Sequence, residues 1–163
     1  MPATSSPDGA STFTVSTLGD REIRAVRVFA AARPRVWRAY TDPALVARWW
    51  GRGNRLVIEE MQVKPGGFWR YVEHAPDGVH AFGGEYQQVL PIELIQRTFS
   101  CDGAPESVHL ETVTLEAVSP ERTKVTVTAD FGRTDERDRM LASGMTGGLE
   151  QSYLVLDRVL ASF

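Results

Sequence analysis

The chain of 163 residues contains a single cysteine, Cys101, and this scarcity excludes several classes of structure. One cysteine cannot form an intrachain disulfide, and it cannot build a cysteine-based zinc cluster. The residues around Cys101 include no adjacent basic partner to activate a thiolate, so we interpret Cys101 as structural. These features favour a reducing, cytoplasmic location.

Long apolar runs and clustered charge are also missing. No apolar run approaches the ~18 residues of a membrane-spanning helix, and the N-terminus lacks the pattern of a signal peptide. The net charge is −3 and the basic residues are scattered, so we expect neither nucleic-acid binding nor a polybasic membrane surface. Phosphate-loop, GxGxxG, GxSxG and HExxH motifs are absent, and His74, His80 and His109 lack metal-ligand spacing. We therefore expect no cofactor and no metal.

The length and composition predict one domain. Residues 1–19 are rich in Ser, Thr, Pro and Gly, which predicts a flexible N-terminal tail followed by a single domain at 20–163. The alternation of Phe13 and Val15 with threonines leaves a short strand open within that tail.

Two short helices are predicted after a first strand at 21–30. The first begins near Pro34, and the second has Asp42 as its N-cap and Pro43 at its first helical position. The chain to residue 131 then alternates with period two between turn signals, which brings the prediction to an antiparallel sheet of six to seven strands.

From Thr134 the apolar residues follow helical spacing, which predicts one terminal helix of about 25 residues. Gly144, Gly147 and Gly148 lie inside it, each at a cost of about 1 kcal/mol relative to alanine. They indicate either a close backbone approach or a helix break, or else volume left for a ligand. A sheet with one apolar face must cover that face, and the terminal helix is the element long enough to do so.

Five motifs carry a family resemblance: "AARPRVWRAYTDPALVARWWG", "VKPGGFWRYVEHAPDG", "GEYQQVLPIELIQRTF", "VTVTADF" and "RDRMLASGMTGGLEQSYLVLDRVL". The chain resembles the START-like (SRPBCC) helix-grip superfamily, and within it homologues of the activator of the heat-shock ATPase, the Aha-like branch. The resemblance implies an α+β fold in which a curved antiparallel sheet grips the terminal helix around a hydrophobic cavity. Many relatives have proline where this chain has Arg52, so the exit from the second helix is expected to differ.

The resemblance leaves several functions open. Relatives bind lipids, hormones or polyketides, and some catalyse cyclisation. The eukaryotic activators carry a separate chaperone-binding domain that this chain does not match, so we do not expect a chaperone partner.

Large apolar residues are the candidates for the cavity wall. Trp69 and Tyr71 share one face of their strand with Glu73, and that face is expected to point inward, either lining a pocket or filling an ordinary core. Trp49 and Trp50 lie about 100° apart on a helix, so we expect one in the core and the other toward the cavity mouth or solvent. The full set of candidates is Trp37, Trp49, Trp50, Trp69, Tyr71, Phe82, Phe99, Met145, Leu149 and Tyr153.

Arg70, Glu85 and His109 are the candidates for the polar end of the cavity, whichever points inward. His109 shares a strand face with Glu111, and an inward histidine beside a carboxylate could transfer protons; His109 and Glu85 are thus the candidate catalytic residues. The alternative is that all are surface or hydrogen-bonded polar residues.

Three functions follow from these observations. A module that binds a small hydrophobic molecule requires a closed pocket with one or two isolated polar groups. An enzyme of the polyketide cyclase or hydrolase type requires an inward acid–base pair in an open pocket. A co-chaperone or stress-response interaction protein requires a filled core and an exposed apolar patch. A homodimer through a strand edge or the short helices is compatible with each.

Overall fold

The computed structural model describes residues 13–163, which form eight strands and four helices. The strands are β1 (Phe13–Leu18), β2 (Glu22–Phe29), β3 (Arg55–Met61), β4 (Phe68–Ala75), β5 (Gly78–Leu90), β6 (Leu94–Cys101), β7 (Ala104–Ser119) and β8 (Arg122–Asp130). The helices are α1 (Arg33–Thr41), α2 (Pro43–Trp49), α3 (Thr134–Ala142) and α4 (Met145–Leu160).

All eight strands belong to one antiparallel sheet with the order β1-β2-β8-β7-β6-β5-β4-β3. The α+β class and the antiparallel sheet were predicted, but the sheet has one strand more than the upper end of the predicted range. The additional strand is β1, which pairs with β2 from Phe13 opposite Arg27 to Leu18 opposite Glu22. β1 is the short strand that the alternation of Phe13 and Val15 with threonines suggested. Residues 1–12 of the predicted tail lie outside the described part of the chain.

The two short helices follow β2 as predicted. The Asp42 side chain accepts a hydrogen bond from the Ala44 amide at 3.0 Å, and Pro43 occupies the first turn of α2. The fixed φ of proline and the capping carboxylate thus set the start of α2.

The prediction of one terminal helix of about 25 residues is wrong. Gly144 has a φ of +85°, a left-handed conformation that separates α3 from α4. A Cβ atom at Gly147 would meet nothing within 4 Å, and one at Gly148 would meet only the Arg52 side chain at 3.6 Å. The glycines therefore mark a helix break at Gly144, and Gly147 and Gly148 do not bring the backbone against the sheet.

The helices cover one face of the sheet, and most of the interior falls into two adjoining halves, beside a small group of Ile23, Ala129 and Phe131. We call the first half the Trp49 core; its members include Phe29, Val36, Ala39, Trp49, Val113, Leu115, Val125, Tyr153, Leu156, Val159 and Leu160. We call the second half the aromatic cluster; its rings are Trp50, Trp69, Tyr71, Phe82 and Phe99. Within residues 13–163, no helix is both long and apolar enough to cross a membrane.

Candidate functional site

The two adjacent tryptophans face different halves of the interior. Trp49 is 2% exposed, and its Nε1 donates a hydrogen bond to the Ala39 carbonyl at 2.9 Å. Trp50 is only half-buried, and its ring centroid lies 5.1 Å from both Tyr71 and Phe82. The separation follows from the backbone, because Trp50 has already left the helix with φ −70° and ψ 147°. Trp49 is thus a core residue, and Trp50 covers the aromatic cluster from its exposed side.

The aromatic cluster lies on the inward face of strands β4, β5 and β6. Trp69 is 4.7 Å from Tyr71 and 5.1 Å from Phe99, measured between ring centroids. Phe82 and Phe99 lie 5.8 Å apart. These spacings are those of favourable tilted and edge-to-face ring pairs. Trp69 and Tyr71 are almost fully buried, whereas Phe82 and Phe99 are half-buried like Trp50.

A buried ion pair lies beside these rings. The Arg97 Nε donates to a carboxylate oxygen of Glu111 at 2.8 Å, and the Arg97 Nη1 donates to the Tyr71 hydroxyl at 3.2 Å. The guanidinium also lies 3.8 Å from the centre of the Trp69 ring. Cross-strand register explains the assembly, because Arg97 is directly opposite Glu111 on β7 and opposite Tyr86 on β5.

Of the four tyrosines of the chain, Tyr71 and Tyr86 interact directly with this ion pair, while Tyr40 and Tyr153 form a separate pair of hydroxyls nearby. Tyr86 interacts through its hydroxyl with Tyr71 and Arg97, and the hydroxyls of Tyr40 and Tyr153 lie 2.5 Å apart. Burial raises the pKa of Tyr40, Tyr86 and Tyr153 above the ordinary value, so these hydroxyls keep their protons at neutral pH. Burial alone would lower the pKa of Arg97, but Glu111 and the neighbouring tyrosines raise it, and the guanidinium stays charged.

The ion pair and three of the tyrosines, Tyr40, Tyr71 and Tyr86, border a small cavity of about 10 Å³. Its wall consists of Tyr40, Val46, Trp49, Trp50, Tyr71, Tyr86, Ile95, Arg97, Glu111 and Val113. This volume accommodates about one water molecule. This cavity therefore has neither the ligand-sized volume expected from the sequence nor a wall with only one or two isolated polar groups.

His109 points into the interior next to this site. It is 6% exposed, and its ring lies 4.8 Å from Phe99 and 4.7 Å from Phe131. Burial lowers its pKa below the ordinary value, and the nearby Glu111 opposes this shift only in part. The imidazole is therefore neutral at pH 7.

Arg70 and Glu85, the other two polar candidates, lie on the opposite face of the sheet. Arg70 forms ion pairs with Glu59 at 2.9 Å and with Asp102 at 2.8 Å. Glu85 lies directly opposite the exposed Phe68 and borders an open surface groove of about 420 Å³. Side chains alternate between the two faces of a strand, so the inward Trp69, Tyr71 and Tyr86 force their neighbours outward.

The apolar candidates are distributed over both halves. Tyr153 belongs to the Trp49 core, Leu149 packs against that core, and Trp37 contacts both halves. Met145 packs elsewhere, against the small group of Ile23, Ala129 and Phe131. Of the ten sequence candidates, only Trp49, Trp50 and Tyr71 border the cavity itself.

Arg97, Tyr40 and Tyr86 are the site residues that sequence reasoning missed. Arg97 alternates with Ile95 and with Phe99, which was a cavity candidate, so period two would have placed Arg97 on the same face. An arginine within an apolar strand face was thus the available signal. Tyr86 shares its strand face with Phe82 by the same alternation, whereas Tyr40 carries no comparable local pattern.

The loop after Trp50 forms hydrogen bonds with α4 and with β4. Gly51, Arg52 and Gly53 all have positive φ, at +81°, +63° and +81°. The Arg52 amide donates to the Ser152 hydroxyl at 2.8 Å, and its guanidinium pairs with the buried Glu73 at 3.0 Å. Proline, with φ near −65°, does not fit the conformation that Arg52 adopts here.

Comparison with known proteins gives the family. A model of the family described as "Activator of Hsp90 ATPase homolog 1-like protein" matches residues 30–161. A crystal structure from Rhodobacter sphaeroides has a TM-score of 0.84 and 26% identity, covering 93% of this chain and 99% of that chain. Protein CV1439 from Chromobacterium violaceum has a TM-score of 0.73 and 27% identity, covering 85% of this chain and 96% of that chain.

Protein Ms6760 from Mycobacterium smegmatis has a TM-score of 0.82 and 22% identity, covering 93% of this chain and 99% of that chain, and shows the shared fold. No curated protein matches the chain. With the sheet, the helices and the family match together, the chain belongs to the activator of Hsp90 ATPase homolog 1-like family and has the START-like, helix-grip fold.

Proposed function

We propose that this protein binds a small hydrophobic molecule in the half of the interior that contains the aromatic cluster, where the cavity wall comes from the sheet, α1, α2 and Trp50 rather than from α4. The observation that carries the proposal is the Arg97–Glu111 pair, held by tyrosine hydroxyls beside five aromatic rings. A buried ion pair contributes little stability compared with apolar side chains of the same volume. Aromatic walls with a few placed polar groups are the usual composition of ligand sites.

Binding requires that a side chain move, because the cavity of about 10 Å³ is far smaller than the ~300 Å³ or more of ordinary ligand pockets. Trp50 is the side chain best placed to do so. It is half-buried and borders the cavity, whereas Trp69 and Tyr71 are 2% and 1% exposed and are held by the sheet. In this proposal the ligand takes the place of the Trp50 indole against the rings of Tyr71 and Phe82.

Removing the Trp50 indole tests this proposal directly. We expect Trp50→Ala to bind indole at least ~10-fold more tightly than the unchanged chain, since the ligand no longer has to displace a side chain. Phe68→Ala is the matched control, because it removes an exposed ring from the opposite face of the same sheet. Isothermal titration calorimetry gives the affinities, and Phe68→Ala should leave them unchanged.

Native mass spectrometry of the protein purified from its own host provides the complementary test. A retained small molecule would identify the chemical class of the ligand. Failure of both the unchanged chain and Trp50→Ala to bind indole, naphthalene or a fatty acid at millimolar concentration would overturn the proposal.

An enzyme that uses an acid–base pair is the second candidate, favoured by one observation. His109 and Glu111 lie side by side on the inward face of β7, and His109 is neutral at pH 7. A neutral imidazole can accept a proton from a bound molecule. Chromatography and NMR spectroscopy of each ligand after incubation distinguish the two functions, because a binding module returns it unchanged and an enzyme alters its covalent structure.

A further inference from the structure

The polar end of the proposed site is electrically balanced. The positive charge of Arg97 faces the negative charge of Glu111 at 2.8 Å, and burial keeps Tyr40, Tyr86 and Tyr153 neutral. The next buried cation, Arg27, is paired with Asp157. No unmatched charge is thus available for a ligand among these described groups.

This balance acts against charged ligands. A carboxylate placed beside Arg97 would also lie beside Glu111, and two negative charges in a poorly solvated interior repel strongly. An ammonium group would meet Arg97 in the same way. A fatty acid in its ionised form therefore does not match this end of the site, although its chain would suit an apolar wall.

Neutral oxygen atoms match the site. Tyrosine hydroxyls donate and accept hydrogen bonds, and Arg97 is a donor held in place by Glu111 and Tyr71. A ligand hydroxyl or carbonyl can exchange hydrogen bonds with these groups without disturbing the ion pair. Because the ion pair already holds the guanidinium, little side-chain entropy is lost when the ligand binds.

The shape of the wall favours a planar molecule. Trp50 contacts Trp69, Tyr71, Phe82 and Phe99 at centroid distances of 5.1–6.4 Å. A flat aromatic ligand that displaces the indole re-forms these ring contacts. A flexible acyl chain forms none of them and loses more conformational entropy on binding.

We infer that the ligand is an uncharged, planar aromatic molecule bearing a hydroxyl or carbonyl oxygen, and that the Arg97–Glu111 pair discriminates against carboxylates. This inference rests on the proposed function, since it names the chemical class for the same site. Phenols and aryl ketones are the simplest members of this class.

Three probes with one ring skeleton test the inference: 2-naphthol, naphthalene and 2-naphthoate, titrated into the full chain at pH 7. We expect 2-naphthol to bind at least ~10-fold more tightly than naphthalene, through its hydrogen bonds, and ~10-fold more tightly than the anionic 2-naphthoate. In Glu111→Gln the arginine loses its counter-charge, so binding of 2-naphthoate should improve by ~10-fold or more while naphthalene changes little.

The double variant Arg97→Met, Glu111→Leu keeps apolar volume at the site and guards against a folding failure of Glu111→Gln. It should bind naphthalene as before and lose the preference for 2-naphthol. If 2-naphthoate binds the unchanged chain as tightly as 2-naphthol, the inference is wrong while the proposed binding function stands. If none of the three probes binds either the unchanged chain or Trp50→Ala, the proposed function fails, and the inference fails with it.

Discussion

The Trp49 core and the aromatic cluster share one interior but differ in composition, in exposure and in their polar partners. The Trp49 core is mainly aliphatic, is closed by α1, α2 and α4, and satisfies the Trp49 indole with a backbone carbonyl. The aromatic cluster lies on the inward faces of β4, β5 and β6, is half-open at Trp50, and adjoins a buried arginine and carboxylate. The adjacent residues Trp49 and Trp50 thus lie in two different environments, a stabilising core and a candidate site.

The difference between the two halves indicates why the buried ion pair lies where it does. Burying a charge is costly unless it is paired and hydrogen-bonded, and an apolar replacement often serves stability equally well. The ion pair of Arg97 and Glu111 is placed beside the half-open cluster. We attribute that position to ligand recognition rather than to stability, and the following experiments challenge this distinction.

The largest effect is expected from Trp49→Ala. The substitution empties a fully buried position and removes the hydrogen bond to Ala39, so unfolding free energy should fall by about 3–5 kcal/mol. Urea denaturation gives the value. Trp50→Ala removes a half-buried ring and should cost about 1–2 kcal/mol. An equal loss of unfolding free energy in the two variants would show that Trp50 contributes as much to stability as Trp49.

Breaking the buried ion pair should have the next largest effect. Glu111→Leu leaves Arg97 without its partner and should lower the unfolding free energy by about 2–4 kcal/mol, below the highest values because Glu111 is 17% exposed. The double variant Arg97→Met, Glu111→Leu should recover most of that loss. Asp102→Ala is the control, since it breaks an exposed pair on the outer face and should cause no measurable change. A double variant no more stable than Glu111→Leu would contradict our interpretation.

A smaller effect is expected at the loop that joins the two halves. Arg52→Pro forces φ away from +63°, and it removes both the amide that donates to Ser152 and the ion pair with Glu73. The unfolding free energy should fall by more than about 1 kcal/mol. Arg52→Gly keeps the backbone conformation and the amide, so it should cost less than proline. The opposite ranking, measured by thermal unfolding, would show that backbone conformation does not control this position.

The smallest effect concerns pH. The pKa of His109 is lowered by burial, so below the unfolded-state pKa of about 6.5 the unfolded chain binds a proton that the folded chain does not. This contribution to stability is complete above about pH 6.5 and is lost as the pH falls through the folded-state pKa. His109→Phe keeps a ring between Phe99 and Phe131 and should reduce the fall in unfolding free energy as the pH is lowered.

Urea midpoints between about pH 5 and pH 8 measure this slope. His80→Gln, at an exposed histidine paired with Asp77, is the matched control and should keep the fall seen in the unchanged chain. A slope that survives in His109→Phe would assign the pH dependence to other groups.

Local patterns predicted most of the fold. Period-two alternation predicted the sheet, Asp42 and Pro43 predicted the start of α2, and five motifs predicted the family. The strand β1 and the break at Gly144 were less accessible. β1 is formed by pairing with β2, and a glycine does not reveal its φ before the helices pack.

The candidate site was predicted only in part. The inward face of Trp69 and Tyr71 follows from alternation once one residue of β4 is placed, and alternation also turns Arg70 outward. The meeting of Arg97, Glu111 and Tyr86 depends on strand register between β5, β6 and β7. Register joins residues distant in the chain, and no local pattern specifies it here.

The sequence by itself determined the order of elements, the antiparallel sheet and the family, because periodicity, caps and motifs are local properties of the chain. Only the tertiary structure decided that Trp49 belongs to the core and Trp50 to the aromatic cluster, and that Tyr71 and Tyr86 meet the ion pair of Arg97 and Glu111. The physical reason is that cross-strand register and helix packing set distances between residues far apart in sequence. Those distances decide which side chains form a site.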